Sequence, residues 1–408
     1  MIPLLIFIFF ITAIESYSFF GLRASLFADS KAFAPIFLAT TVLTILGIGL
    51  VIFTMSSEGI GKLKLPANII FGLAFSFIIA KLFISSVFLF EDLFRGFGWL
   101  FQTVTHFRLA EASVRSPLSG MVALALSSIV ILAMNYGVLF GRYQFTTHHK
   151  VLEYENLPDA FDGFKMVQIS DMHLGTFDQM KRVRKGLNQL QNLKPDVIVF
   201  TGDMVNNRAS EAKPFIDLLK QLHAPYGKYS VLGNHDYGEY VRWNSKNEKD
   251  ANLEQLKSYE KAMGFKLLMN EYVSFEKNGD SIYLAGVENW GNPPFPQYGD
   301  LDKATKGLNQ NDFIVLLSHD PTHWSERVVK SALPIALTLS GHTHGMQFGI
   351  EIGKFKWSPV KYRYEDWAGL YTENNRTLYV NRGFGSLGFP GRIGIWPEIT
   401  LIEFRKKH

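Results

Sequence analysis

Four apolar stretches, at about 2–20, 34–55, 67–90 and 118–140, fill most of the first 145 residues. Roughly 20 apolar residues are enough to cross a hydrocarbon core. Buried helices of a soluble core are the alternative, but runs this long with so few charges favour membrane spans. A cleaved signal peptide fits the first stretch less well, because a basic n-region and an A-x-A-type site are missing. The expectation is a four-span α-helical bundle over 1–145, hence an integral, multi-pass membrane protein whose lipids are its first partners. Four spans put both termini on one side. Loop charges do not say which: Arg23, Lys31, Arg95, Arg108 and Arg115 oppose Lys62, Lys64, Arg142 and Lys150.

Finer features of this half can also be read. Gly47, Gly49, Gly72 and Gly120 are expected to let helices approach closely. The 91–117 connection mixes aromatics with charges and reads as an interfacial helix. Glu15 and Lys81 fall inside the apolar stretches, where charge is costly. An interfacial Glu15 and a snorkelling Lys81 are favoured over a direct pair between the first and third helices. His148-His149-Lys150, after the last stretch, reads as an interfacial basic patch.

From about 150 to 408 the pattern changes to short apolar runs separated by polar loops and amphipathic segments. Strands are expected at 164–170, 196–201, 229–232, 265–269, 272–276, 282–287, 313–318, 335–340, 377–381 and 398–404. Helices are expected at 178–193, 209–223 and near 252–263. This alternation indicates an α/β layered domain. The whole chain carries a net charge of only +4, which implies no strong nucleic-acid field. It has no cysteine, which removes disulfides and thiolate metal sites.

Eight polar residues stand where apolar runs end, the place where open α/β sheets hold ligands. They are Asp171 and His173 (S-D-M-H), Asp203 (T-G-D), Asn234 and His235 (G-N-H-D), His319 (L-S-H-D), and His342 and His344 (S-G-H-T-H). Imidazole, carboxylate and amide oxygen suit divalent ions such as Mn, Fe or Zn. In Asp171-x-His173 and His342-x-His344, an extended backbone would aim both side chains one way. Glycines before Asp203, Asn234 and His342 permit tight turns. Asp203 is the natural bridging carboxylate between two cations. Two ions about 3.5–4 Å apart can clamp an in-line displacement and acidify a bridging water, which then attacks as hydroxide. His235 is left as general acid, with Asp236 as its orienting partner.

These blocks resemble the calcineurin-like metallophosphoesterase superfamily over roughly 160–408. The resemblance implies a two-sheet β-sandwich flanked by helices. It implies a first metal on Asp171, His173, Asp203 and His344, and a second on Asn234, His319 and His342 with Asp203 shared. His235 would protonate the leaving group or steady the phosphate. Asn206 stands where many members have a further acid, at a position that is not a metal ligand. The N-R-G-F-G-S-L-G-F-P-G-R run near 381–392 is similar to the bacterial membrane-associated branch related to YkuE and YaeI, which implies a bacterial cell membrane. Met346 departs from that branch, which usually has a second glycine there. The G-x-G-x-x-G at 383–388 is followed by Pro390, so it reads as a loop and not a dinucleotide turn. Its backbone and Arg392 are a lesser candidate for the cleft wall.

The expected function is a membrane-anchored, two-metal phosphoesterase acting on a phosphate ester or diphosphate, with a lipid or lipid-linked substrate suggested by the anchor. A soluble nucleotide or phosphoester is the enzymatic alternative. A membrane sensor or scaffold with an inactive domain is the non-enzymatic one.

Overall fold

The computed structural model describes residues 2–56, 64–105, 115–353 and 355–407. The chain divides into two compact units, Met1–Leu139 and Phe140–His408. The break therefore falls a few residues before the end of the expected 1–145 domain.

The first unit contains α1 (Ile2–Ser25), α2 (Phe33–Ser56), α3 (Lys64–Thr105) and α4 (Pro117–Leu139). Among the described residues, Ala67–Thr105 and Pro117–Tyr143 are long and apolar enough to cross a membrane, while Phe33–Gly49 is apolar but shorter. The expected interfacial helix is not separate: residues 91–105 continue α3, and 106–114 lie outside the described residues. Small residues do bring helices together. A Cβ on Gly47 would lie 2.4 Å from Ala74 Cβ, and one on Gly72 would lie 2.6 Å from Val138 Cγ2. Gly120 meets Ser25 in the same way, whereas Gly49 faces open space.

Glu15 and Lys81 are not independent, which corrects the sequence expectation. Lys81 Nζ lies 2.8 Å from both Glu15 carboxylate oxygens. Thr41 Oγ1 donates to Glu15 Oε2 at 2.7 Å, so the cluster ties together α1, α2 and α3. A buried pair is cheap to keep and costly to break, because removing one partner strands the other charge. Lys81→Met should destabilise the protein by about 3–5 kcal/mol. The double variant Glu15→Gln/Lys81→Met should recover most of that loss. Thermal unfolding of the full chain in detergent measures both. Equal losses in the single and double variants would rule the pairing out.

The second unit opens with β1 (Thr146–Tyr154) and β2 (Lys165–Ile169), then α5 (Met180–Gln191) and β3 (Val197–Phe200). Next come α6 (Ile216–Lys220), β4 (Lys228–Ser230), α7 (Lys246–Ala262), β5 (Phe265–Leu267), β6 (Glu271–Lys277) and β7 (Asp280–Gly286). After α8 (Leu301–Ala304) follow β8 (Ile314–Leu317), β9 (Ile335–Ser340), β10 (Ile350–Ile352) and β11 (Phe355–Trp357). The last strands are β12 (Gly369–Glu373), β13 (Arg376–Val380) and β14 (Glu398–Lys406).

Two mixed six-stranded sheets result, ordered β1-β14-β2-β3-β4-β5 and β12-β13-β9-β8-β7-β6. Alternation along the strands builds the layers. Met166, Val197 and Val199 join Val315, Leu317 and Leu339 in the core between the sheets. Val167, Ile198 and Phe200 face outward onto Val183, Leu187 and Leu190 of α5. Ile314, Leu316 and Val380 pack outward on the second sheet against Trp324 and Val328.

One sequence expectation fails here for a local reason. The helix expected over 209–223 is two 3-10 turns followed by the short α6, because Pro214 has no N–H to donate. His148-His149-Lys150 lies within β1, which pairs in parallel with β14, and His149 Nε2 sits 3.2 Å from Glu403.

Glu260 of α7 is fully buried and accepts a hydrogen bond from Ser230 Oγ on β4. Burial, with Asp236 nearby, pushes its carboxyl up to about 8. A raised folded-state pKa means that stability from this group is complete below the unfolded value and is lost as pH climbs to the folded one. The melting temperature should therefore carry a declining component between about pH 4.5 and 8, equivalent to up to one proton per chain. Glu260→Gln keeps a partner for Ser230 and should flatten that decline. Calorimetry of both proteins across this range is the check, and identical slopes would contradict it.

Candidate metal centre

Each motif residue follows the C-terminal end of a strand. Asp171 and His173 follow β2, Asp203 follows β3, and Asn234 and His235 follow β4. His319 follows β8, and His342 and His344 follow β9. Within each sheet these strands run parallel, so all the loops gather at one end.

The loops are not extended, contrary to the i, i+2 expectation. Asp171, His173, Asp203, His342 and His344 have φ of 50°, 43°, 61°, 68° and 52°. This left-handed backbone costs on the order of 1–3 kcal/mol per non-glycine residue and persists only where neighbours over-determine it. Here the loops brace one another. Asp171 N donates to Gly202 O at 2.9 Å, His173 N to Asp203 O at 3.1 Å, and His342 N to the Asp171 carboxylate at 3.0 Å. Gly233 and Gly341 serve by size: an added Cβ on each would stand 2.2 Å from an oxygen of Asp203 and of Asp171 respectively.

Two groups of donors result. In each, the atoms lie within 4.8 Å of one another: Asp171, His173, Asp203 and His344 in one, and Asp203, His319 and His342 in the other. Asp203 belongs to both. In the first, His173 Nε2 is 3.0 Å from His344 Nε2 and 3.6 Å from Asp203 Oδ2. In the second, His319 Nε2 is 3.2 Å from Asp203 Oδ2, from Asn234 Oδ1 and from His342 Nδ1. Asn234 thus joins the second group through its amide oxygen.

The electrostatics suit cations. Burial pushes His173 down to about 3 and His342 down to about 4, leaving neutral imidazoles with free lone pairs. Burial also opposes charge on His319, yet the Asp203 and Asp171 carboxylates prevail and push it up to about 10. The cluster therefore draws a positive charge onto a fully buried ring. A divalent ion would supply that charge and leave His319 free to coordinate.

His235 lies outside both groups. Its Nδ1 is 2.7 Å from the Asn206 carbonyl, which can only accept, so Nδ1 carries the hydrogen. Nε2 is then the ring atom left for a substrate. Its backbone N donates to Asp203 Oδ1 at 2.9 Å, and its ring lies edge-on to His173 with centroids 5.0 Å apart. Asp236 does not orient it, which corrects that expectation. Its buried carboxylate accepts from the backbone N–H groups of Asp203, Met204, Val205 and Gly233 at 2.8–3.2 Å. Asp236 therefore shapes the loop that presents Asp203.

Several contributors lie outside the eight motif residues. Tyr364 Oη is 2.8 Å from His342 Nε2, and Asp320 Oδ2 is 3.4 Å from the same atom. Tyr240 accepts from Asn234 Nδ2 at 2.8 Å. Arg392 is fully buried behind the site, bonded to the Gly385 and Arg382 carbonyls and 3.3 Å from His344 Nδ1, so it is not a cleft wall. His323 pairs with Ser318 Oγ at 2.9 Å and joins neither donor group. A cavity of about 500 Å³ adjoins the centre and is lined by Asp203, Asn234, His235, His342 and His344. Phe295, Met346, Leu387 and Phe389 add apolar surface to the same cavity.

Comparison with known proteins agrees with this geometry. Residues 164–346 match the family described as Calcineurin-like phosphoesterase. The uncharacterized metallophosphoesterase YkuE of Bacillus subtilis is 30% identical over 308 residues, covering 73% of this chain and 99% of that protein. The chain is a calcineurin-like metallophosphoesterase. Residues 1–142 match the transmembrane domain described for probable calcineurin-like phosphoesterases, so this metallophosphoesterase is a membrane protein. The transmembrane protein with metallophosphoesterase domain of Danio rerio is 30% identical over 307 residues, 73% of this chain and 66% of that one. The UDP-2,3-diacylglucosamine pyrophosphatase LpxG of Chlamydia trachomatis is 30% identical over 281 residues, 56% of this chain and 81% of that one. The family works with divalent metal ions, and the two donor groups fit such ions in type and spacing.

Proposed function

We propose that this metallophosphoesterase is a four-span membrane hydrolase with a dinuclear centre, and that it cleaves a phosphate ester or diphosphate of a lipid or lipid-linked substrate. The observation that carries the reading is the sharing of Asp203 between two donor groups beside a cavity that also holds His235. Asp171, His173, Asp203 and His344 would hold one ion, and Asp203, Asn234, His319 and His342 the other. Mn, Fe and Zn all suit these ligands. Bound ions supply charge neutralisation for the phosphoryl oxygens and activation of water. Asp203 holds the two positions in register. His235, fixed through Nδ1–H on the Asn206 carbonyl, would act as the imidazolium, giving the proton on Nε2 to the departing oxygen and becoming the neutral Nδ1–H ring. Asp236 keeps the Asp203 loop in its strained conformation.

Two points support a lipid substrate. The catalytic unit shares its chain with a transmembrane domain, and the relative LpxG is a pyrophosphatase whose named substrate is a diacylated sugar nucleotide. Apolar side chains in the cavity lining suit an acyl-bearing molecule. The test compares a diacylated nucleoside diphosphate sugar with its deacylated, water-soluble counterpart, using full-length protein in proteoliposomes with Mn²⁺. The lipid form should be favoured in kcat/KM by at least about tenfold, or roughly 1.4 kcal/mol. Equal rates would assign the site to soluble esters. Absence of hydrolysis of any phosphoester by metal-loaded protein would leave a scaffold.

A further inference from the structure

Six large apolar side chains lie exposed between 346 and 362: Met346, Phe348, Ile350, Ile352, Phe355 and Tyr362. Ile352 is 74% and Phe355 60% exposed. Their arrangement follows from the register of the hairpin. β10 and β11 form a separate two-stranded antiparallel sheet that pairs Ile350 with Trp357, Glu351 with Lys356, and Ile352 with Phe355. Opposed residues in such a pair share a face. Glu351 and Lys356 therefore lie on one face, and Ile350, Ile352, Phe355 and Trp357 on the other.

The usual amphipathic hairpin turns its apolar face inward. This one is anchored by its polar face. Glu351 Oε1 is 2.7 Å from Arg382 Nη2. Lys356 Nζ donates to the Ala368 carbonyl and lies 3.1 Å from Tyr371 Oη. The apolar face is thus held outward by an ion pair and hydrogen bonds. Phe348 extends it, with its ring 6.4 Å from Trp357. Exposed Lys361, Tyr362 and Arg363 follow within six residues of the end of β11 and add basic and aromatic character, and Arg363 lines the metal cavity beside Met346. An apolar patch of this kind marks an interaction surface.

We infer that the β10–β11 face and its Lys361–Arg363 rim form a membrane-docking surface, which inserts at the headgroup–acyl boundary of the bilayer. Three observations select this occupant. The chain carries a transmembrane domain, so a bilayer accompanies every copy of the catalytic unit. Apolar tips flanked by Tyr and basic residues match the chemistry of that boundary. Met346 both belongs to the patch and lines the metal cavity, so the docked face adjoins the site entrance. The inference concerns where the surface sits and does not depend on the chemistry proposed above.

The natural absence of cysteine allows a direct test. An environment-sensitive fluorophore is placed on Phe355→Cys, or on Ile352→Cys if the first variant folds poorly, in the full-length protein in phosphatidylcholine–phosphatidylglycerol vesicles. Glu276→Cys is the control. It lies near the β6–β7 turn, at the strand ends opposite those that carry the site. The expected result is a blue-shifted emission at 355 that spin-labelled lipids quench severalfold more strongly than at 276. A water-like emission at 355, quenched by iodide as at 276, would overturn the inference. So would a blue shift without lipid quenching, which would give the face to a protein segment or a second copy.

Discussion

Asp203→Asn should abolish the proposed dinuclear centre and lower hydrolysis on the order of 10³-fold, since metal charge stabilisation is worth several kcal/mol and each 1.4 kcal/mol is tenfold. Asp203 is the residue common to both donor groups, with Oδ2 3.2 Å from His319 Nε2 and 3.6 Å from His173 Nε2. An amide in its place would lose the negative charge shared by the two donor groups and offers one acceptor oxygen where two are used. The second carboxylate oxygen also receives the His235 backbone N–H, so the loss extends to the proposed proton donor. Asp171→Asn touches one donor group and should remove chiefly one ion. Elemental analysis of full-length variants, beside their activity, separates these cases. Equal metal content in Asp203→Asn and the parent protein would sink the bridging role.

His235→Ala should behave differently. Metal content should stay intact, because His235 belongs to neither donor group. Turnover should fall about 10²–10⁴-fold, the usual worth of a positioned general acid. The loss should depend on the leaving group. A p-nitrophenolate needs little help from a proton, whereas an alkoxide needs much more. The variant should therefore retain far more activity on p-nitrophenyl phosphate than on an alkyl ester. A uniform loss across leaving groups would recast His235 as a phosphate-binding residue.

The sequence displays the parts of this protein whose physics is local. β3, β8 and β9 are legible because both faces are buried and every position is apolar or small, and β2 because Met166, Val167 and Ile169 are apolar and buried. Most motif residues are legible because they sit at those strand ends, and Asn234 and His235 because they follow β4. The remainder depends on tertiary contacts. β1 (T-T-H-H-K-V-L-E-Y) lacks a strand pattern and is held by its long parallel pairing with β14. Asp236 adjoins His235 in sequence, yet its carboxylate turns to four backbone N–H groups, a direction no motif encodes. Tyr364 and Tyr240 reach the candidate metal ligands from loops with no spacing signal, and Asp320 stands in the L-S-H-D block but contacts His342 only through the tertiary fold. The left-handed ligands were hidden for a related reason: aspartate and histidine do not announce positive φ as glycine does. Inside the apolar half, Glu15 and Lys81 are conspicuous as charges, but their pairing depends on how α1 and α3 pack.

The most direct test of the central claim is a metal titration of the stripped, full-length protein, with binding and hydrolysis followed together. Two equivalents of Mn²⁺ per chain should bind, and activity should appear with the second. Saturation at one equivalent, or hydrolysis that needs no metal, would contradict a centre built around a shared Asp203.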